Sequence, residues 1–183
     1  YLQGQFSRLT GAVDPVATQL AQQICADTYH SVVSFLSTLN QRIYTECSYQ
    51  FRENGDALPA GITWTTRSGS CRDYAMLMIE ACRAVGLAAR FVSGYQEGDP
   101  DQDDRHLHAW VEVYLPGAGW RGYDPTHGLA VADTHIALVA CPTYKGTAPV
   151  EGHLKQAGVQ SEMQYTLKIS KVDNSQSQMQ LQG

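Results

Sequence analysis

The chain has 183 residues, 43% of them hydrophobic and 17% charged, which is enough for one sizeable core and short for two independent domains. No run of the sequence approaches the ~20 apolar residues of a membrane-spanning helix, and no basic start leads into an apolar stretch with a small-residue cleavage site. With 13 Lys+Arg against 18 Asp+Glu the formal charge is −5, and no basic stripe interleaved with aromatics is present, which excludes nucleic acid and anionic lipid as partners.

Asp14-Pro15 predicts a helix start, with Val16, Leu20, Ala21 and Ile24 recurring at helical spacing, and leaves residues 1–13 as an N-terminal extension. A second helix follows Asp27-Thr28, carrying Val32, Phe35, Leu36, Leu39 and Ile43 as one apolar stripe for helix-on-helix packing. Residues 52–70 hold Asn54-Gly55, Pro59, Gly61 and Gly69 among few periodic residues and read as a long loop. From Cys71, the residues Tyr74, Leu77, Met78, Ala81, Cys82 and Val85 fall on one helical face, and Gly86 supplies a left-handed stop. The period then changes to two, predicting strands at 88–95, 108–115, 120–124, 136–141 and 165–172. Helices before strands predict an α+β fold with an antiparallel sheet. The acidic stretch 97–105 reads as a solvated connection, 141–164 as a loop bordering a cleft, and 173–183 as a disordered Gln/Ser-rich tail.

Cysteines 25, 47, 71, 82 and 141 are odd in number and form neither a CxxC nor a Cys/His zinc pattern, so a disulfide scaffold is not expected. That usage favours a reducing, cytoplasmic compartment, while a start at Tyr1 rather than Met leaves room for a targeting segment upstream. Cys71 stands apart from the other four. Ser70 and Asp73 match the S-x-x-[DE] capping box and place Cys71 in the first helical turn, where free amides and the positive helix end favour thiolate over thiol. Cys82 and Cys25 sit on ordinary helical positions and read as structural.

In residues 106–115 the odd positions are apolar and the even ones are His106, His108, Trp110, Glu112 and Tyr114. The odd side is expected to face the core, leaving His108 and Trp110 on the opposite face, to meet a cysteine from a helix packed there. Residues 116–119 turn the chain, and Asp124 returns beside it. A four-residue loop would pair 124 with 111 and put Asp124 on the wrong face. A three-residue loop pairs 115 with 119 and brings Asp124 diagonal to His108, and this odd register is the one predicted. A metal site is the rival reading, with His106 and His108 completed by Asp103, Asp104, Asp124 or His127, but it leaves the helix-terminal Cys71 unexplained.

The blocks Gly69-Ser70-Cys71-Arg72-Asp73-Tyr74-Ala75, residues 88–95, residues 108–114 and Gly122-Tyr123-Asp124-Pro125-Thr126 together resemble the bacterial transglutaminase-like family, over about residues 14–172. The resemblance implies a papain-like fold in which a helix bearing a nucleophilic cysteine packs on an antiparallel sheet bearing histidine and aspartate. The catalytic roles transfer to Cys71, His108 and Asp124. Family members often carry a further N-terminal β-rich region that is not seen here, so the chain is expected to be a trimmed core.

What this implies is cysteine-dependent acyl transfer on an amide of a protein or peptide through a thioester, with no cofactor and no metal. The Cys71 backbone amide is the natural oxyanion donor, Tyr49 and Trp64 are candidates for a second, and Trp110 is placed as cleft wall or packing. Ever-present water favours a protease or amidase over amine transfer by a transglutaminase. A non-catalytic binding module of the same fold is the remaining alternative.

Overall fold

The computed structural model describes residues 1–4, 11–52, 55–97, 107–148 and 169. Helix α1 (Pro15–Asp27) starts where Asp14 Oδ1 accepts the amides of Val16 at 2.9 Å and Ala17 at 3.3 Å. Helix α2 (Val32–Glu46) buries Phe35, Leu36, Leu39 and Ile43, the expected stripe apart from its exposed first member Val32. Strand β1 (Ser48–Tyr49) then leads to α3 (Ala60–Thr66), β2 (Ser68–Gly69) and α4 (Cys71–Ala84).

The stretch expected to be a long loop therefore contains a helix and a strand. Its sequence AGITWTT is a poor helix former, with a glycine and four β-branched residues, and tertiary contacts override that propensity. Gly61 N donates to Asp14 Oδ2 at 3.0 Å, and Trp64 is buried in the core.

Helix α4 is buried on nearly all sides, not on one face, because α1 and α3 pack on it from one side and the sheet from the other. It ends as predicted at Gly86, φ +81°, with Leu87 N bonded to Cys82 O at 2.9 Å and Gly86 N to Arg83 O at 3.1 Å. The sheet comprises β3 (Ala89–Gln96), β4 (His108–Leu115), β5 (Gly119–Asp124), β6 (Leu129–Ala130) and β7 (His135–Cys141) in the order β6-β5-β4-β3-β7, with every pairing antiparallel. The two-residue β6 has no period-two signal of its own and is set by pairing with the end of β5. The strand expected at 165–172 and the tail at 173–183 lie outside the described residues.

Residues 1–4 are fastened to this body. Arg83, buried, donates to Tyr1 O at 3.0 Å and Gln3 O at 2.9 Å, and the Tyr1 ring packs on Trp120 at 5.3 Å.

Gly94 marks an irregularity in the middle of the sheet. It pairs with His108 on one side and lies at the register shift between β3 and β7 on the other. A Cβ there would collide with the Ile136 carbonyl oxygen and stand 2.6 Å from the Trp110 ring. Gly94→Ala is therefore expected to cost about 1–3 kcal/mol of unfolding free energy, read as a lower urea midpoint at constant m-value.

Candidate active site

Cys71, 9% exposed, opens α4, and its amide in the first turn has no acceptor within the helix. The buried Asp73 carboxylate holds that start in place. Its Oδ2 accepts the Ser70 amide at 2.7 Å and the Ser70 hydroxyl at 2.9 Å, the reach-back expected of the capping box. Its Oδ1 takes Leu58 N at 2.7 Å and Arg52 Nη2 at 2.6 Å, tying the preceding connection to the same turn. The backbone around the thiol is thus set before any substrate arrives.

Tyr49 reaches the thiol through the pairing of β1 with β2. Tyr49 lies opposite Gly69, and Gln50 N donates to Gly69 O at 2.8 Å, which carries the phenol to the neighbourhood of Cys71. Burial first, then the charge at Cys71, raises this phenol to about 12, so it stays protonated near neutral pH and can donate.

His108 opens β4 and Asp124 closes β5. The strands pair Leu115 with Gly119 and Val111 with Tyr123, which is the odd register predicted from the loop. Gly117 and Gly119 make this loop possible, with φ +81° and +76° after Pro116. His108 Nε2 consequently stands 2.8 Å from Asp124 Oδ2, and the Cys71 thiol lies near enough to act on the ring's charge. Burial would pull the imidazole down, but the bonds and charges of Asp124 and Cys71 outweigh it and raise it to about 10. Burial likewise opposes ionisation of Asp124, yet hydrogen bonds from His108, His127 and His135 hold its carboxyl well below the usual carboxylate range. Near neutral pH the pair is imidazolium and carboxylate.

The helix does not pack on the face of the sheet that carries His108. Ala109, Val111 and Val113, on the opposite face, share the core with α4, while Trp110 and Val92 are buried outside that cluster. Thiol and imidazole meet because each belongs to the first residue of its element. The cysteine is presented at the end of the sheet rather than across it.

Residues 18–125 match the family model of the transglutaminase-like superfamily, a span that contains Cys71, His108 and Asp124. The chain belongs to the transglutaminase-like superfamily. An uncharacterised protein of Mycobacterium tuberculosis is 32% identical over 153 residues, covering 75% of this chain and 48% of its own length, so the chain spans about half of that relative. A protein-glutamine gamma-glutamyltransferase of Pseudomonas aeruginosa is 43% identical over 72 residues, 36% of this chain and 11% of that protein. The crystal structure of a candidate cysteine protease from Cytophaga hutchinsonii superposes with a TM-score of 0.59 at 25% identity, covering 72% of this chain and 45% of that one.

Two of the expected cleft residues are buried in packing within this transglutaminase-like core. Trp64 is buried beside α1 with the Arg67 guanidinium 3.4 Å above its ring, because α3 turns the indole into the helical layer. Trp110 is fully buried, packed edge-on to His135 at 5.2 Å and tilted to His108 at 6.1 Å, so it supports the imidazoles from beneath instead of walling an open cleft.

Two histidines beyond the matched span join the site. His127 Nδ1 lies 2.8 Å and His135 Nε2 3.1 Å from the same Asp124 Oδ2, while Asp124 Oδ1 accepts Thr126 N at 2.9 Å. His127 follows Asp124 by three residues, a local signal that the sequence reading weighed only as a metal ligand. His135 comes from the strand beyond β3, and only the sheet order reveals it. Of the rival metal set, Asp103, Asp104 and His106 lie outside the described residues, and His108, Asp124 and His127 offer ligand atoms within 4.8 Å of one another.

Proposed function

We propose that the chain is a cysteine-dependent hydrolase of protein or peptide amides, working through a thioester on Cys71. The observation carrying this reading is that His108, bonded to the buried Asp124 at 2.8 Å, sits where the Cys71 thiol acts on its charge. The Cys71 sulfur attacks the amide carbonyl, and the Cys71 amide and the Tyr49 hydroxyl donate to the oxyanion. His108 gives its proton to the departing amine. The ring then takes a proton from water, which attacks the thioester and releases the acid, while Asp124 holds the ring's orientation and balances its charge.

Water is favoured as acceptor because the entrance is wet: Tyr49 is 47% exposed, and the neighbouring Phe51 is exposed as well. Amine transfer is the second reading, supported by the identity shared with the gamma-glutamyltransferase across 72 residues. The two are separated by incubating the protein and its Cys71→Ala variant with a glutamine-containing protein and a labelled amine. Ammonia or peptide release without label supports hydrolysis, label incorporation supports transfer, and equal signal from the variant removes Cys71 from either.

Tyr49→Phe is expected to lower kcat by about 10–10³-fold with KM changed far less, since its donor acts on charge that develops after binding. Steady-state kinetics on a peptide amide reads both constants.

A further inference from the structure

The proposed chemistry uses one of the three imidazoles gathered on Asp124. The other two do more than that reading requires. Oδ2 of Asp124 lies 2.8 Å from His108 Nε2 and 2.8 Å from His127 Nδ1, and these three side chains can bring one ligand atom each within 4.8 Å of one another. Tetrahedral zinc, with bonds of about 2.0–2.1 Å, spaces neighbouring ligand atoms by roughly 3.3 Å. The two nitrogen–oxygen edges need open by only about half an ångström to reach that spacing.

We propose that His108, Asp124 and His127 form a binding site for a divalent transition ion of the Zn²⁺ class, and that its occupancy switches off the thiol chemistry. The inhibitory half rests on the function proposed above, and the binding half does not. Two imidazoles and a single carboxylate suit Zn²⁺, Cu²⁺ or Ni²⁺, whereas Mg²⁺ and Ca²⁺ need more oxygen ligands than the site presents. The three residues also supply an entry path. The His127 side chain is 41% exposed against 11% for His108 and none for Asp124, so an ion would meet His127 first.

The carboxylate is already oriented for such an ion. Thr126 N holds Oδ1 at 2.9 Å and leaves Oδ2 facing the histidines. His135 lies 3.1 Å from Oδ2 with its other ring nitrogen 3.1 Å from the Thr134 hydroxyl, and serves as the outer hydrogen-bond partner that ligating carboxylates ordinarily have. On binding, two metal–nitrogen bonds and one metal–oxygen bond replace three bonds from the ion to water. The proton between His108 and Asp124 is released to solvent, because the imidazolium's other nitrogen is already protonated, and His127 frees its Nδ1 by releasing that proton or moving it to its other nitrogen. His108 then carries metal on the nitrogen that faced Asp124 and is no longer an imidazolium, and the proton on its other nitrogen is too weakly acidic to serve the departing amine.

Calorimetric titration with ZnCl₂ tests the site on a Cys25→Ser/Cys71→Ala double variant. These changes remove the catalytic thiol and the Cys25–His30 pair, whose sulfur and nitrogen lie 3.1 Å apart and would compete for zinc. The expected result is saturable binding of one ion per chain below ~1 mM, no response to Mg²⁺ or Ca²⁺, and at least about tenfold weaker zinc binding after His127→Asn. Asparagine keeps a hydrogen bond to Asp124 but offers no ring nitrogen, and near-UV circular dichroism verifies that the variant folds. Absence of binding below ~1 mM, or affinity unchanged by His127→Asn, overturns the site. A separate arm measures turnover of the unsubstituted protein in chelator and then in zinc. Turnover in chelator that zinc fails to suppress overturns the inhibitory half. Absence of turnover in chelator removes the function proposed above and the inhibitory half with it, while the calorimetry still decides the site.

Discussion

Cys71→Ala is expected to lower turnover at least about 10⁴-fold, with near-UV circular dichroism unchanged. No other thiol can substitute for it. Burial in the apolar interior of α4 pushes Cys82 up to about 12, and burial also raises Cys47. Cys25, which shares a hydrogen bond with His30 at the distant α1–α2 corner, is the only other thiol with an imidazole at hand among the described residues. Iodoacetamide near neutral pH is accordingly expected to label Cys71 first, Cys25 second and Cys82 last, as read by peptide mass spectrometry over time. Retained turnover in the alanine variant, or labelling of Cys47 and Cys82 ahead of Cys71, would remove the thiol from the reaction.

What was readable from the sequence follows from the range of each interaction. The Cys71 turn depends on residues three apart, and the β4–β5 register depends on three loop residues, so both were derivable without a structure. α3 was not derivable, because a seven-residue helix built mostly of weak formers is held in place by Asp14, 47 residues away, bonding Gly61 N. Without α3, the burial of Trp64 in the helical layer was not derivable either. The alternation in β4 correctly assigned Val111 and Val113 to the core, but periodicity cannot say that a helix meets the sheet at its end, so the thiol was expected across the wrong face. His135 has no local signal at all. Its contact with Asp124 spans eleven residues and is created by the placement of β7 beside β3, the last strand pairing of the sheet.

Asp124→Asn is expected to lower kcat by about 10²–10⁴-fold, more than the loss of one charge on an isolated hydrogen bond would suggest. The reason is that four donors converge on one side chain: Thr126 N on Oδ1, and His108, His127 and His135 on Oδ2. An amide has only one oxygen. Facing its oxygen to the histidines turns the NH₂ against Thr126 N, and the opposite flip sets it against three imidazole nitrogens, so neither orientation satisfies a fully buried group. The pH dependence should move as well, in a direction the charges fix. In the unsubstituted protein His108, raised to about 10, stabilises the fold fully below its unfolded value of roughly 6.5 and loses that contribution as pH rises through about 10. Asp124, held low, contributes above its unfolded value near ~3.9 and loses that contribution as pH falls below it. With asparagine the acid-side loss from this group disappears, and burial draws the His108 value down, so the alkaline limb of both stability and kcat should shift to lower pH by more than about one unit. Thermal melts and rate profiles from pH 4 to 11 read both effects. An alkaline limb that stays in place would show that His108 owes its charge to some group other than Asp124.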